Sequence, residues 1–284
     1  MSPESSHQPK ACVIGWPAGH SRSPIIHGYW LAQHGLAGSY ERAAVAPEDF
    51  ASFVHDFARN GFVGANVTLP HKQAAFELCD ATTETAAKLQ AVNTLWLEDG
   101  KLRGDNTDVE GFLAALDQEA PGWAAHAGKA VVLGAGGAAR AIIQALLLCG
   151  VKKITLINRT KDRALELAGQ AGAAVEAADW AEPGRALSDA DLLVNTTSLG
   201  MKGQPPLEID LGPLPAQAVV SDIVYVPLET ELLRMAKARG LRGVSGLGML
   251  LHQAAPGFSR WFGVRPIVTA ELRALVEADI LKSV

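Results

Sequence analysis

Short apolar segments alternate with segments of helical periodicity along the whole chain of 284 residues. This alternation predicts an α/β fold, because strands that alternate with helices are typical of α/β sheets. The predicted strands cover residues 11–15, 39–45, 64–69, 92–96, 130–133, 153–157, 191–195, 219–223 and 242–244. The predicted helices cover residues 24–34, 47–60, 71–78, 109–119, 137–148, 161–171, 230–239 and 249–258.

Two local signals predict where elements begin or turn. Ser23 stands before Pro24, and a capping serine followed by proline at the first helical position predicts a helix start. The dipeptide Asp99-Gly100 lies between apolar residues and predicts a β-hairpin turn.

Residues 134–139 follow a predicted strand and precede a predicted helix. Gly134, Gly136 and Ala139 fit the G-x-G-x-x-G/A fingerprint, in which glycines let the backbone approach a pyrophosphate at a helix N-terminus. Any tight strand-to-helix turn favours glycine, so the spacing alone leaves a purely structural turn open. The flanking strand and helix favour a dinucleotide as the ligand.

The segment after the next predicted strand indicates which dinucleotide binds. An NAD site of this type has an acidic residue about 20 positions beyond the glycines, where it binds the ribose 2′-hydroxyl. Here the strand is followed by Asn158-Arg159-Thr160, with Arg163 one helical turn later. Arginines and neutral donors suit a 2′-phosphate, whereas a carboxylate would repel it. The pattern predicts NADP; the alternative is an ordinary solvated helix start capped by Thr160.

The glycine-rich turn lies in the middle of the chain, so a complete α/β unit precedes it. We predict a substrate-binding domain over residues 1–107 and a doubly wound, Rossmann-like NADP-binding domain over residues 108–246. Residues 247–284 are predicted to form C-terminal helices that return and pack on the substrate domain.

Composition and charge exclude several classes of protein. The formal net charge of −5 and the isoelectric point of about 5.9 argue against a nucleic-acid partner. No apolar run reaches the roughly 18 residues of a membrane span, and the polar N-terminus lacks the apolar core of a secretory signal. Cys12, Cys79 and Cys149 are expected to be buried reduced thiols in a cytoplasmic protein. The histidines show no metal-ligand spacing, so no metal site is predicted.

Polar residues cluster at the predicted element ends of the front half. Ser21 and Ser23 could both face an anion at the positive end of a helix dipole; the alternative is simple capping by Ser23. Asn93 lies inside a predicted apolar strand, where a polar side chain needs a partner. Asp108 precedes a predicted helix, and its alternative role is a charge that complements the helix dipole.

The segment 66–72 combines an alternating strand pattern with a lysine at a helix start. Asn66 and Thr68 alternate with Val67 and Leu69, so on a strand the polar pair shares one face while the apolar pair faces the core. Lys72 stands at the start of a predicted helix, where the dipole disfavours a positive charge. That position is a small indication of a functional lysine, and the alternative is a solvated surface lysine, which is the commoner case.

Taken together, these segments resemble the shikimate dehydrogenase family over nearly the whole chain and in the expected order. The matching segments of the front half are Gly15-x-Pro17-x-x-His20-Ser21-x-Ser23-Pro24, Asn66-Val-Thr68-Leu-Pro70-His-Lys72, Ala91-Val-Asn93-Thr94 and Asn106-Thr107-Asp108. Those of the second half are Gly134-Ala-Gly136-Gly137-Ala-Ala-Arg140, Asn158-Arg159-Thr160-x-x-Arg163, Tyr225-x-Pro227-x-x-Thr230 and Gly246-Leu-Gly248-Met249.

The resemblance implies reversible reduction of 3-dehydroshikimate to shikimate by NADPH, in aromatic amino-acid (chorismate) biosynthesis. It implies that Lys72 and Asp108 are the catalytic pair. The residues implied to bind the substrate are Ser21, Ser23, Asn66, Thr68, Lys72, Asn93, Asp108, Tyr225 and Gln253. The residues implied to lie at the cofactor are Gly134, Ala135, Gly136, Gly137, Ala138, Ala139, Asn158, Arg159, Thr160, Arg163, Ile223, Gly246 and Met249, and Glu84 stands where the family has an acid near the cofactor.

Two other functions remain open at this stage. One is a quinate/shikimate dehydrogenase that uses NAD, against which Ser23 and Arg159 argue. The other is a sensor that binds shikimate-like acids without turnover, since one scaffold can host unrelated functions. A sensor would be expected to lack Lys72, Asp108 or the glycine-rich turn, and all are present. The sequence does not fix the oligomeric state, and a homodimer stays open.

Overall fold

The computed structural model describes residues 8–181 and 183–283. The chain divides into two compact units: unit 1 contains Met1–Thr107 and Gln253–Val276, and unit 2 contains Asp108–His252 and Glu277–Val284. The described part of each unit contains one six-stranded sheet. Within these described ranges, none of the helices has the length and apolar character that crossing a bilayer requires.

The sheet of unit 1 has the strand order β2-β1-β3-β5-β6-β4. Its strands are β1 (Lys10–Gly15), β2 (Ser39–Ala44), β3 (Phe62–Val67), β4 (Ala81–Thr82), β5 (Thr94–Glu98) and β6 (Lys101–Asp105). The helices of this part of the chain are α1 (Ser23–Gln33), α2 (Phe50–His55), α3 (Lys72–Leu78) and α4 (Glu84–Leu89). Strand β1 is parallel to β2 and β3, and β5 is antiparallel to β3 and β6. The predicted hairpin turn is confirmed, with positive φ at both Asp99 and Gly100.

The two faces of the unit 1 sheet differ in chemistry. One face carries alternate residues of β1 and β3 into an apolar core with Phe50 and Phe57. On the other face, Ala11 lies in register with both Tyr40 and Gly64, and Val13 lies in register with Asn66. Small residues therefore leave room on this second face for larger side chains to cross the sheet surface.

An aromatic layer packs on that second face. Its rings come from α1, β2 and the helix α11 (Gly246–Phe262), the part of which after His252 belongs to unit 1. Trp261 donates from its indole to the main-chain oxygen of Leu95 at 2.8 Å. A Cβ on Gly64 would lie 2.2 Å from that indole nitrogen, so the position requires glycine. Further rings of the layer are those of His27, Trp30, Tyr40, Phe258 and Phe262.

The sheet of unit 2 is entirely parallel, with the order β12-β11-β10-β7-β8-β9. Its strands are β7 (Lys129–Leu133), β8 (Lys153–Ile157), β9 (Val175–Ala178), β10 (Leu192–Asn195), β11 (Val219–Asp222) and β12 (Arg242–Ser245). The associated helices are α5 (Asp108–Glu119), α6 (Trp123–His126), α7 (Gly137–Leu148), α8 (Lys161–Ala171), α9 (Pro183–Leu187) and α10 (Glu231–Ala238). The last helix of the chain is α12 (Ala270–Lys282).

The strand order of unit 2 is that of a doubly wound dinucleotide-binding fold. Numbered from β7, the order is 3-2-1-4-5-6, with the direction of winding reversed between β7 and β10. Ligands of such sheets bind beyond the carboxyl ends of the strands at this switch point. The predicted α/β fold class is therefore confirmed, and the glycine-rich turn after β7 lies at the switch point.

Several predicted details of unit 1 are wrong. The helix predicted over residues 47–60 is instead a short 3₁₀ turn, Pro47–Asp49, followed by α2. After α2 the chain forms turns up to Gly61, whose positive φ of 75° is incompatible with a continuing helix. The strand predicted over residues 64–69 ends at Val67, so Thr68 lies beyond it. Leu69 is 72% exposed instead of facing the core. Asn93 precedes β5 rather than lying within it.

The three cysteines are free thiols, as expected, but their burial differs. Cys12 is buried and Cys79 is half-buried, and burial raises the pKa of Cys79 to about 12. Cys149 is exposed, so the expectation that all three are buried is wrong. Its position at the C-cap of α7 accounts for this, because the apolar side of that helix faces the sheet while its last residue does not.

Candidate active site

The polar residues of unit 1 singled out from the sequence form one hydrogen-bonded network. At its centre is Asn66 of β3, which is 5% exposed. Its side-chain nitrogen donates to the main-chain oxygen of Asn93 and to the hydroxyl of Thr94, each at 3.3 Å. Its side-chain oxygen accepts a 2.7 Å bond from the phenol of Tyr40. The network thus joins three strands of the sheet at one polar point.

Asn93 extends this network towards the end of β6 and towards α11. The Asn93 side-chain oxygen accepts bonds from the hydroxyl of Thr94 at 3.0 Å and from the main-chain nitrogen of Thr107 at 2.8 Å. The Thr107 hydroxyl in turn donates to the main-chain oxygen of Gln253 at 2.8 Å. The side-chain oxygen of Asn93 therefore has the partners that a buried acceptor needs, and its bond to Thr107 holds the end of the first segment of unit 1.

The two serines lie at the start of α1, but not in the predicted roles. The helix begins at Ser23 itself, and the N-cap residue Arg22 makes no capping bond through its side chain. The Ser21 hydroxyl accepts a 3.2 Å bond from the main-chain nitrogen of Ser23. The prediction that Ser23 caps is therefore wrong. Instead, the Ser21 hydroxyl donates to that of Ser23 at 3.2 Å, and Ser23 hydrogen-bonds to the phenol of Tyr40. Two hydroxyls at a helix start whose N-cap side chain makes no capping bond agree better with the anion hypothesis.

Lys72 and Thr68 lie on either side of the turn that follows β3. Lys72 is the first residue of α3, as predicted, and its main-chain oxygen accepts a 2.8 Å bond from Val92, the residue before Asn93. Thr68 donates from its main chain to Ile14 at 2.9 Å. A Cβ on Gly15 would lie 2.5 Å from the Thr68 methyl group, so that glycine permits the close approach.

Three predicted site residues lie elsewhere. Asp108 is the first residue of α5 and is 8% exposed, and it follows Thr107 directly in the chain. Tyr225 lies in the loop after β11 and is half-buried. Glu84 begins α4 in unit 1, is highly exposed and pairs with Lys88 at 2.8 Å. The other residues predicted to lie at the cofactor all belong to unit 2.

The glycine-rich turn of unit 2 has the features that a pyrophosphate requires. Gly134 has a φ of 102°, and a Cβ there would lie 2.8 Å from the Thr196 hydroxyl. Gly136 is the N-cap of α7, no side chain caps this helix, and its first turn holds no acidic residue. Added Cβ atoms at Gly136 and Gly137 would meet only open space. An uncapped helix start under open space fits a dinucleotide phosphate.

The segment after β8 fits a further phosphate. Arg159, Thr160 and Arg163 are exposed, and Thr160, the N-cap of α8, makes no capping bond through its side chain. Neither arginine forms an ion pair with a carboxylate among residues 8–181 and 183–283. Asn158 donates to the main-chain oxygen of Thr160 at 2.8 Å, which holds the turn. Two unengaged guanidinium groups beside a helix start suit the 2′-phosphate of NADP.

A buried carboxylate organises the opposite side of the switch point. Asp222 accepts bonds from Asn195 at 2.9 Å, from the main chain of Val224 at 3.1 Å and from Thr230 at 2.7 Å. Burial raises the pKa of Asp222, and these three donors oppose that rise. The bonds hold the segment that contains Ile223 and Tyr225.

Gly246 and Ile223 are brought together in unit 2. A Cβ on Gly246 would lie 2.1 Å from the main-chain oxygen of Ile223, so this position requires glycine. Met249 follows one turn later in α11.

The sequence missed several residues of these networks. His27, Tyr40, Thr94 and Thr107 belong to the unit 1 network, and Asn195, Thr196 and Thr197 belong to the switch point of unit 2. Thr94 and Thr107 carried a signal, because each adjoins a polar residue in a motif already noted. No group of three or more potential metal-ligating side chains occurs in the described ranges.

Three sequence families match the chain. Residues 13–95 match the shikimate dehydrogenase substrate binding domain, residues 117–201 match shikimate / quinate 5-dehydrogenase, and residues 246–270 match the shikimate 5′-dehydrogenase C-terminal domain. The shikimate dehydrogenase (NADP(+)) of Methylocella silvestris is 64% identical over 275 residues, which are 97% of this chain and 98% of the relative.

Two solved structures are similar over nearly the whole chain. The shikimate 5-dehydrogenase of Thermus thermophilus in complex with NADP(H) and shikimate is 36% identical with a TM-score of 0.85, covering 97% of this chain and 100% of that one. The quinate dehydrogenase of Corynebacterium glutamicum in complex with NAD is 32% identical with a TM-score of 0.89, covering 95% and 99%.

Proposed function

This chain belongs to the shikimate dehydrogenase family, and we propose that its residues catalyse the reversible NADPH-dependent reduction of 3-dehydroshikimate to shikimate. The similarity to these relatives confirms the family resemblance that the motifs indicated, and it confirms that the chain is an NADP-dependent oxidoreductase. The observation that carries the proposal is the unit 1 network, which gathers Ser21, Ser23, Asn66 and Asn93 around one polar point.

We propose that this network and its neighbours bind the substrate. Ser21 and Ser23, at the start of α1, hold the carboxylate. The ring hydroxyls are bound by polar side chains of the surrounding strands, loops and helices, namely Asn66, Thr68, Lys72, Asn93, Asp108, Tyr225 and Gln253. Each of these types offers donors or acceptors that a polyhydroxylated ring requires.

Lys72 and Asp108 are the proposed catalytic pair. NADPH supplies the hydride that reduces the C3 carbonyl carbon. Negative charge then develops on the carbonyl oxygen, and the Lys72 ammonium stabilises this charge and delivers a proton to the oxygen. Asp108 orients the lysine and accepts a hydrogen bond from a neighbouring ring hydroxyl. In the reverse direction, Lys72 takes the proton from the shikimate hydroxyl.

The proposed cofactor site lies on unit 2. The main-chain amides of Gly134, Ala135, Gly136, Gly137, Ala138 and Ala139 hold the pyrophosphate, and Asn158, Arg159, Thr160 and Arg163 hold the 2′-phosphate. Ile223, Gly246 and Met249 shape the nicotinamide pocket, and Glu84 is kept as a further residue near the cofactor. These roles correspond to a substrate-binding domain over residues 1–107, an NADP-binding domain over residues 108–246 and C-terminal helices over residues 247–284.

Quinate is the competing substrate, because a quinate dehydrogenase is among the similar structures. The proposal is tested by steady-state oxidation of shikimate and quinate, each with NADP⁺ and with NAD⁺. We expect shikimate with NADP⁺ to have the highest kcat/KM. Quinate turnover equal to that of shikimate, or a preference for NAD⁺, would contradict the assignment.

Two finer points belong to the same proposal. We propose that the protein works in the cytoplasm, where three free thiols remain reduced. A homodimer is kept open beside a monomer, and light scattering of the purified protein distinguishes the two.

A further inference from the structure

The side chain of Asn66 is oriented entirely by protein groups. Its oxygen accepts from the phenol of Tyr40 at 2.7 Å and lies 3.3 Å from the Nε2 of His27. Its nitrogen donates to Asn93 and Thr94. Both ends of this amide therefore have protein partners that set its direction. Of these four bonds, the one from Tyr40 is the shortest.

The Tyr40 side chain reaches Asn66 because only small residues lie between them on this face of the sheet. Tyr40 lies on the edge strand β2, in register with Ala11 of β1, which is in register with Gly64 of β3. The phenol ring stacks on His27, with ring centroids 3.9 Å apart and planes 12° apart. Burial raises the pKa of Tyr40 well above its ordinary value, so its hydroxyl stays protonated and can donate.

The same phenol also contacts the start of α1. Ser23 hydrogen-bonds to the Tyr40 hydroxyl, and Ser21 donates to Ser23 at 3.2 Å. A continuous chain of donors therefore runs from Ser21 through Ser23 and Tyr40 to Asn66. In such a chain each bond polarises the next, and each hydroxyl has one preferred direction.

We infer that Tyr40 is a positioning residue for substrate binding, because its hydroxyl fixes the directions of Ser23 and Asn66 at the same time. This inference rests on the proposed function, in which Ser23 binds the carboxylate and Asn66 binds the ring. His27 contributes a rigid stacking surface and a second, longer bond to Asn66. Tyr40 itself needs no contact with the substrate for this role.

The test compares two tyrosine-to-phenylalanine variants. Tyr40→Phe keeps the ring on His27 and removes only the hydroxyl. Tyr29→Phe is the matched control, because Tyr29 also lies in unit 1 and its hydroxyl is 3.4 Å from that of Thr269, outside the network. We expect Tyr40→Phe to raise the KM for shikimate about fivefold to tenfold, the effect of one hydrogen bond, with the KM for NADP⁺ unchanged. Tyr29→Phe should change neither.

The outcomes separate this inference from a purely structural role. If Tyr40→Phe matches Tyr29→Phe in both KM values, or raises both KM values together with a lower urea midpoint, the inference is wrong. If the wild-type protein does not oxidise shikimate, both the proposed function and this inference are wrong. An active wild type leaves the Tyr40 result to decide the inference alone.

A double-mutant cycle tests the proposed link between Tyr40 and Ser23. Ser23→Ala removes the same hydrogen bond from the other side. If the hydroxyls act as one unit, the KM of the double variant rises by less than the product of the two single effects. Effects that multiply independently would contradict the link.

Discussion

At the residue scale, the site consists of polar groups whose partners are distant in sequence. Ser21, Ser23, Asn66 and Asn93 could be predicted, because each stands at an element end or in a motif with a chemical reason for its type. Tyr40 could not be predicted as a site residue, because its strand carries mostly polar residues and its sequence does not indicate a contact with β3. The register of β1 between β2 and β3 creates that contact.

The charge state of His27 also depends on contacts that the sequence does not show. It lies at the centre of the aromatic layer, fully buried, and burial lowers its pKa from 6.5 to about 3 against the opposing effect of its bond to Asn66. A lone histidine in sequence gives no sign of this environment. Its Nδ1 has no hydrogen-bond partner, which agrees with a neutral ring protonated at Nε2.

The lowered pKa of His27 predicts how stability depends on pH. Because the folded state binds this proton less well than the unfolded state, its contribution is intact above pH 6.5 and is lost as pH falls towards 3. Between pH 6.5 and 5 this loss is roughly 1.5 kcal/mol. Urea unfolding at these two pH values measures it.

The matched variants for this prediction are His27→Phe and His55→Phe, the second an exposed residue of α2. The pH dependence should shrink in His27→Phe and persist in His55→Phe. An unchanged slope in His27→Phe would show that other groups cause the acid loss of stability.

At the scale of elements, prediction succeeded where the apolar pattern was long and failed where it was short. Helices α7 and α8 and strand β8 have the predicted bounds. The two-residue β4, the four-residue α6 and the weakly apolar β9 were missed, because so few residues carry no clear period. Elements α4, β6 and α9 were missed as well, and α12 was predicted only among the C-terminal helices of residues 247–284, without its own bounds.

Two helices show what tertiary context adds. In α12, Leu272, Val276 and Ile280 are fully buried at a spacing of four, a signal that could have predicted the bounds of this helix. Helix α11 runs from Gly246 to Phe262, well beyond the predicted 249–258, and contains Pro256. Buried residues on both sides of Pro256, among them Leu251 and Phe258, outweigh the preference of proline for a helix end.

The start of α7 yields a prediction that separates binding from stability. Gly137 and Gly169 both lie in helices, and a Cβ at either meets only open space. Alanine is a better helix former than glycine by up to about 1 kcal/mol, so neither Gly137→Ala nor Gly169→Ala should lower the free energy of unfolding. Only Gly137→Ala should raise the KM for NADP⁺, by roughly tenfold, because its methyl group takes space proposed for the pyrophosphate.

Urea unfolding and NADP⁺ saturation curves measure the two effects. If Gly137→Ala has the wild-type KM for NADP⁺, the proposal that the pyrophosphate binds at the start of α7 is wrong. Equal rises in both variants would point to a general disturbance of the fold.

At the scale of the whole molecule, the sequence predicted the fold class, the family and the doubly wound arrangement of unit 2, but not the strand order of unit 1. The alternating pattern indicates an α/β fold, yet the order β2-β1-β3-β5-β6-β4 depends on pairings between distant segments. The division of α11 between two units was likewise invisible in the sequence, because one continuous helix carries no boundary signal. The glycine-rich turn was predictable because dinucleotide binding restricts sequence and structure together.

The catalytic assignment joins residues from both units. Lys72 belongs to unit 1 and Asp108 to unit 2, and the proposed reaction needs a proton donor and an orienting carboxylate. A positioned acid–base group contributes about 10²–10⁴-fold to the rate. Asp108→Asn should lower kcat for shikimate oxidation by a comparable factor, whereas an effect on KM alone would make Asp108 a binding group.

The most direct measurement is kcat for shikimate oxidation by NADP⁺ in Lys72→Ala, with Lys101→Ala, an exposed lysine of the β5–β6 hairpin, as the control. We predict that kcat of Lys72→Ala falls by about two orders of magnitude or more while that of Lys101→Ala stays at the wild-type value. A kcat of Lys72→Ala close to the wild-type value would contradict the central claim that this lysine transfers the proton.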